Sequence, residues 1–146
     1  MTQPRIPSKQ IKHRAGYKHQ LYGNEAVHVQ LVYIRPATRA VTPYCVIETD
    51  GWMEIFPWYA WDGASGPTWD TNTSYRGSLV HDCVADCIRD GYLPFETWKL
   101  NDKELFNILK EDGMNSFRVG VWKTGLAIAN GGYAKKSSKR KILISP

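Results

Sequence analysis

The chain has 146 residues, 42% of them hydrophobic and 12% aromatic, which suits one domain with one core and excludes an intrinsically disordered chain. No apolar run approaches the roughly 20 residues that span a bilayer, and the opening MTQPRIPSKQIKHR has no apolar signal core, so neither a transmembrane segment nor a secretion signal is readable. The net charge of +5 sits in the ends: residues 1–20 carry five basic side chains and the tail AKKSSKRK another five, both without an acid, while residues 21–134 hold nine basic and fourteen acidic residues.

The expected organisation is a basic flexible arm over 1–18, a single α+β domain over 19–134 and a basic tail over 135–146. Basic ends on an acidic body suit solvated tails, an acidic partner, an anionic surface or nucleic acid. Solvated tails are the better reading, because no aromatic side chain interleaves Lys135, Lys136, Lys139, Arg140 and Lys141 to stack bases. Cys45, Cys83 and Cys87 are few and odd in number, which favours reduced thiols.

The first element in chain order is a strand, in which Val27, Val29, Leu31 and Tyr33 alternate with His28, Gln30 and Val32 until Pro36 ends it or confines it to an edge. Tyr44 to Glu48 and Trp52 to Phe56 flank Thr49-Asp50-Gly51, a hairpin signal because glycine accepts positive φ. A short strand from Trp58 to Trp61 follows. Residues 62–73 read as a loop punctuated by Gly63, Gly66 and Pro67. A helix then starts near Ser74, with Thr73 or Ser74 as its cap, and stops at Gly91; Leu79, Val80, Cys83, Val84, Cys87 and Ile88 make its apolar face. Asn101 and Glu104 have the spacing of a capping box, with Leu100 and Leu105 as its staple, so a second helix is expected from Asn101 to Gly113. A third is expected over about 116–130, where Gly120 and Gly125 would permit close backbone packing. Strands first and helices second make an α+β fold, an antiparallel hairpin sheet packed against about three helices.

On the 74–90 helix, steps of about 100° per residue put Ser78, His81, Asp82, Ala85 and Arg89 in one sector, opposite the core face. This stripe implies a polar cleft between sheet and helix. His81 is the candidate general base or metal ligand, and Asp82, Asp62 and Asp102 are candidates to orient it or share a divalent metal. Ser65 completes the catalytic set; Arg89 would hold an anionic group and Ser78 would join it in binding substrate. The alternative is that His81, Asp62 and Ser65 hydrogen-bond the loop in place while Asp82 and Arg89 form an ordinary helix salt bridge. Sharper motifs fail. Gly63-Ala64-Ser65-Gly66 is not G-x-S-x-G, no H-E-x-x-H exists, and Cys83 and Cys87 are four apart on the apolar face, as core thiols would be.

The order WDGASGP, RGSLVHDCV, an arginine and then NDKELFNIL resembles the domain of unknown function 1353 family, small proteins found largely in tailed-phage and prophage genomes. Asp62, Gly63, Ala64, Ser65 and Pro67 match its turn, His81 and Asp82 its H-D pair, and Asp102 and Phe106 its last helix. Gly66, Asn101 and the Cys83-Val84 pair depart from the pattern. The resemblance covers roughly residues 20–130. It implies a phage or prophage protein of α+β type, resident in the host cytoplasm during infection or in the virion, and it brings no agreed activity. Two functions follow as expectations: a small hydrolase, cell-wall directed, or a virion component of tail, baseplate or capsid that docks on other virion proteins through its basic ends. Nucleic-acid binding through the ends ranks last, because the body is acidic.

Overall fold

The structure, a computed structural model, describes residues 5–8, 13–14, 19–61 and 71–133. These form two antiparallel sheets followed by three helices, an α+β arrangement. The hairpin is β5 (Cys45–Ile47) and β6 (Trp52–Ile55), with Cys45 opposite Ile55 and Ile47 opposite Met53. Gly51 has φ +85°, and a Cβ there would lie 2.6 Å from the Leu31 carbonyl oxygen, so both conformation and space demand glycine. β3 (Val27–Gln30) pairs with β6 and β4 (Ala40–Val41) with β5, giving the order β3-β6-β5-β4. Val27, Val29, Cys45, Ile47, Met53 and Ile55 point inward and are buried, as period-two alternation requires.

β3 is shorter than the expected strand to Tyr33. Its ladder ends because the Tyr33 and Ile34 N–H groups turn to the Glu104 carboxylate instead. The second sheet joins β1 (His13–Arg14), β2 (His19–Leu21) and β7 (Ala60–Trp61) in that order. β7 is likewise shorter than expected. Trp58 has φ 70° and takes no part in the sheet, and its carbonyl accepts from Gln20 Nε2 at 3.0 Å. The arm expected to be flexible is tied down where it is described. β1 pairs with β2, the Ser8 N–H donates to the His28 carbonyl at 2.7 Å, and the Arg5 guanidinium meets Asp50.

α1 (Tyr75–Arg89) begins after Ser74 and ends before Gly91, whose φ of +86° closes it. The Ser74 hydroxyl bonds Thr71 rather than a helix N–H. α1 is buried on more than its apolar face: Ser78, His81 and Ala85 are also covered, His81 beneath α2 and Ser78 against Trp61 of β7. The polar stripe is therefore divided: His81 meets Asp102 of α2, Ser78 meets Trp61 of β7, and Asp82 stays at the solvent edge. Gly77 permits the approach of α2, since a Cβ there would stand 3.0 Å from Leu105 Cδ1 and 3.1 Å from Leu109 Cδ2.

α2 (Thr97–Glu111) starts a full turn before the expected cap, and Gly113, at φ +91°, follows it as expected. Asn101 and Glu104 are not a capping box; both are interior and buried, and their side chains bond outside α2. α3 (Ser116–Tyr133) runs on through Gly131 and Gly132. Gly120 has nothing within 4 Å of a would-be Cβ, so it does not mediate the expected close packing.

The larger apolar cluster joins the sheets to α1 and reaches Trp98 and Ile108 of α2. A smaller one joins Leu105 and Leu109 to Met114, Val119 and Trp122. Trp98 and Trp122 are thus core residues. Among the described residues, no helix is long and apolar enough to cross a membrane.

Candidate active site

α1 and α2 each bring a polar side chain to their contact line. His81 comes from the middle of α1, and its Nε2 lies 3.0 Å from Asp102 Oδ1 on α2. On the other side of the ring, Nδ1 is 3.8 Å from Asp82 Oδ1, an ion-pair distance longer than a direct hydrogen bond. The neighbouring Asn101 amide donates to the His81 backbone carbonyl at 3.0 Å, which pins that turn of α1 to α2. His81 is 9% exposed. The Asp82 and Asp102 side chains keep 29% and 27% of their surface, so the trio sits at the solvent edge of a buried seam.

Burial alone would lower the imidazole pKa. The Asp102 bond and the Asp82 carboxylate outweigh it and raise the value from 6.5 to about 8. At neutral pH the ring therefore carries its proton, and a general base is not its resting state. Because a carboxylate only accepts, Nε2 carries the hydrogen toward Asp102. Nδ1 is then the position at which a proton is gained or lost.

Ser78 lies one turn before His81, but it is buried, accepting from Trp61 Nε1 at 3.0 Å and donating to the Tyr75 carbonyl at 3.1 Å. Its hydroxyl anchors β7 to α1. Arg89 stands two turns beyond His81, about 12 Å along an ideal helix. Its guanidinium is 3.7 Å from Asp86 and lies over the Trp98 ring at 5.4 Å, apart from the trio. Asp86 also accepts from the Tyr59 hydroxyl at 2.6 Å, and burial above all pushes that hydroxyl's pKa well up, so it remains a donor.

Of the expected site residues, then, His81, Asp82 and Asp102 converge, while Ser78 and Arg89 serve other contacts. Asp62 and Ser65 lie outside the described residues, as do Lys135, Lys136, Lys139, Arg140 and Lys141. Among the described residues no three His, Cys, Asp or Glu side chains are arranged to hold a metal ion, and Asp62, the remaining candidate ligand, lies outside them. The geometry at His81 is that of an ion-paired imidazole, with Nε2 spent on Asp102. His28 pairs loosely with Glu54 at 3.8 Å and stacks on Trp52, a surface role.

Asn101 and Glu104 were not legible as contact residues. The signal was their phase: extended back to Thr97, the helix puts both on the stripe of Trp98, Leu105 and Ile108. Compared with protein-family models, with curated proteins and with solved structures, the chain matches none.

Proposed function

We propose that this chain is a small hydrolase of phage or prophage type, directed at the cell wall, in which His81 and Asp82 move the protons. The single observation that supports this is the His81–Asp102 bond at 3.0 Å, with Nδ1 turned toward Asp82. Asp102 fixes the ring's tautomer and orientation. Asp82, partly exposed, takes a proton from the attacking water, and the Nδ1–H of His81 gives one to the leaving group. The phage part of the proposal rests on the family resemblance of the D-G-A-S turn and the H-D pair, and the cell-wall part on the supply of aromatic side chains that a glycan or peptide groove would use.

The test uses purified bacterial sacculi as substrate. Release of soluble amines or reducing ends is expected from the native chain. His81→Ala and Asp102→Asn should each lower it about a hundredfold or more with the melting transition retained. No release by the native chain overturns the hydrolase reading. Undiminished release by a folded His81→Ala removes His81 from it.

A second reading, a virion component, is favoured by a different observation. Phe117 of α3 is 81% exposed, beside Val121 and the open surface at Gly120. An apolar ring that exposed is suited to docking on a neighbour. Co-sedimentation with particles that is lost in Phe117→Ser would support it, and a chain that stays free of particles at low salt would count against it.

A further inference from the structure

The three cysteines meet in the core, away from the candidate site. Cys45 Sγ of β5 is 3.4 Å from Cys87 Sγ of α1, and Cys83 lies one turn earlier on the same helix. All three are free thiols with no exposed surface. The Thr42 hydroxyl reaches Cys45 Sγ at 3.5 Å. Hydrogen bonds from Cys83 and Cys87, joined by Thr42, hold the Cys45 thiol below its ordinary range against the opposing effect of burial. Burial pushes Cys83 well up, and Cys87 is raised through its bond to Cys45. Cys45 is thus the sulfur whose thiolate form its neighbours favour, and Cys87 is its contact partner from another element.

We propose that Cys45 and Cys87 are a peroxide-reactive pair that closes to a disulfide tying β5 to α1, with Cys45 oxidised first. A disulfide needs about 2.05 Å between sulfurs, so side-chain adjustment of little more than an ångström joins them. Hydrogen peroxide is close to water in size and can reach a closed core that excludes a bulky disulfide reagent. The Cys45 thiolate attacks one peroxide oxygen; the O–O bond breaks, hydroxide leaves, and the sulfur becomes a sulfenic acid. The Cys87 sulfur then attacks Cys45; the S–O bond breaks, and water departs with the thiol proton. Two thiols are oxidised and one peroxide is reduced to two waters. A Cys83–Cys87 link is set aside because the two share a helix face with parallel Cα–Cβ bonds, and Cys87 is taken over Cys83 as the partner of Cys45 on the 3.4 Å contact.

The experiment treats the folded chain with hydrogen peroxide, alkylates the remaining thiols and maps the peptides by mass. The expected product joins the Cys45 and Cys87 peptides, lacks two hydrogens, leaves only Cys83 alkylated and reverts with dithiothreitol. In Cys87→Ala, peroxide on the folded chain followed by unfolding in the presence of dimedone should label Cys45. Three alkylated cysteines after peroxide, a link through Cys83, or dimedone first on Cys83 or Cys87 would each overturn the proposal. The map of the native chain decides the question even where the variant does not fold.

Discussion

Asp102 Oδ1 lies 3.0 Å from His81 Nε2, and this contact ties the middle of α1 to the second turn of α2. The imidazolium is held between two carboxylates on different helices, so its proton is part of what keeps α1 and α2 together.

The pH dependence of stability follows. The folded pKa, about 8, exceeds the ordinary 6.5, so the folded chain binds this proton more tightly than the unfolded chain. The stabilisation is complete below about pH 6.5 and is lost as pH rises through about 8. Linkage puts it at about 2 kcal/mol. Urea denaturation on either side of that window should show the drop, and Asp102→Asn should flatten it.

Glu104→Ala should destabilise by about 2–3 kcal/mol, since it leaves the buried N–H of Ile34 and the part-buried N–H of Tyr33 without their acceptor. Glu104→Gln retains an acceptor and should cost about half as much. Amide exchange at Tyr33 and Ile34 should accelerate in the alanine variant ahead of exchange in α1.

Two glycines should respond oppositely. Gly77→Ala drives a methyl against Leu105 and Leu109 in a packed seam and should cost about 1–2 kcal/mol despite the better helix propensity. Gly120→Ala meets open space and should stabilise by up to about 1 kcal/mol. Thermal melts of the two variants check the pair.

Ser78→Ala separates anchoring from substrate binding. It strips the Trp61 indole N–H of its acceptor and should cost about 1–2 kcal/mol. If Ser78 only anchors, the His81 titration followed by NMR should keep its midpoint near 8.

The parts legible in the sequence are those set by neighbours along the chain. Asp50-Gly51 marked the hairpin, and Gly91 and Gly113 marked the ends of two helices, because positive φ is a local demand. Of the group His81, Asp82, Asp62 and Asp102, the structure brings His81, Asp82 and Asp102 together, and Asp62 lies outside the described residues. What was not legible depends on which surfaces meet. Ser78 and Ala85 read as an outward stripe because helical phase gives faces and not partners. Asn101-x-x-Glu104 reads as a cap because the same two side chains that would bond helix N–H groups can bond any others.

The Ser8–His28 pairing bears on the margin of the four-stranded sheet. β3 is its outermost strand on that side, and the Ser8 hydroxyl takes the His28 N–H at 3.0 Å while the Ser8 N–H meets the His28 carbonyl. A few N-terminal residues thus act as a selvedge that occupies hydrogen-bonding groups another chain would otherwise seize. Removing Ser8 with the residues before it would bare the His28 backbone groups and should raise self-association through that edge.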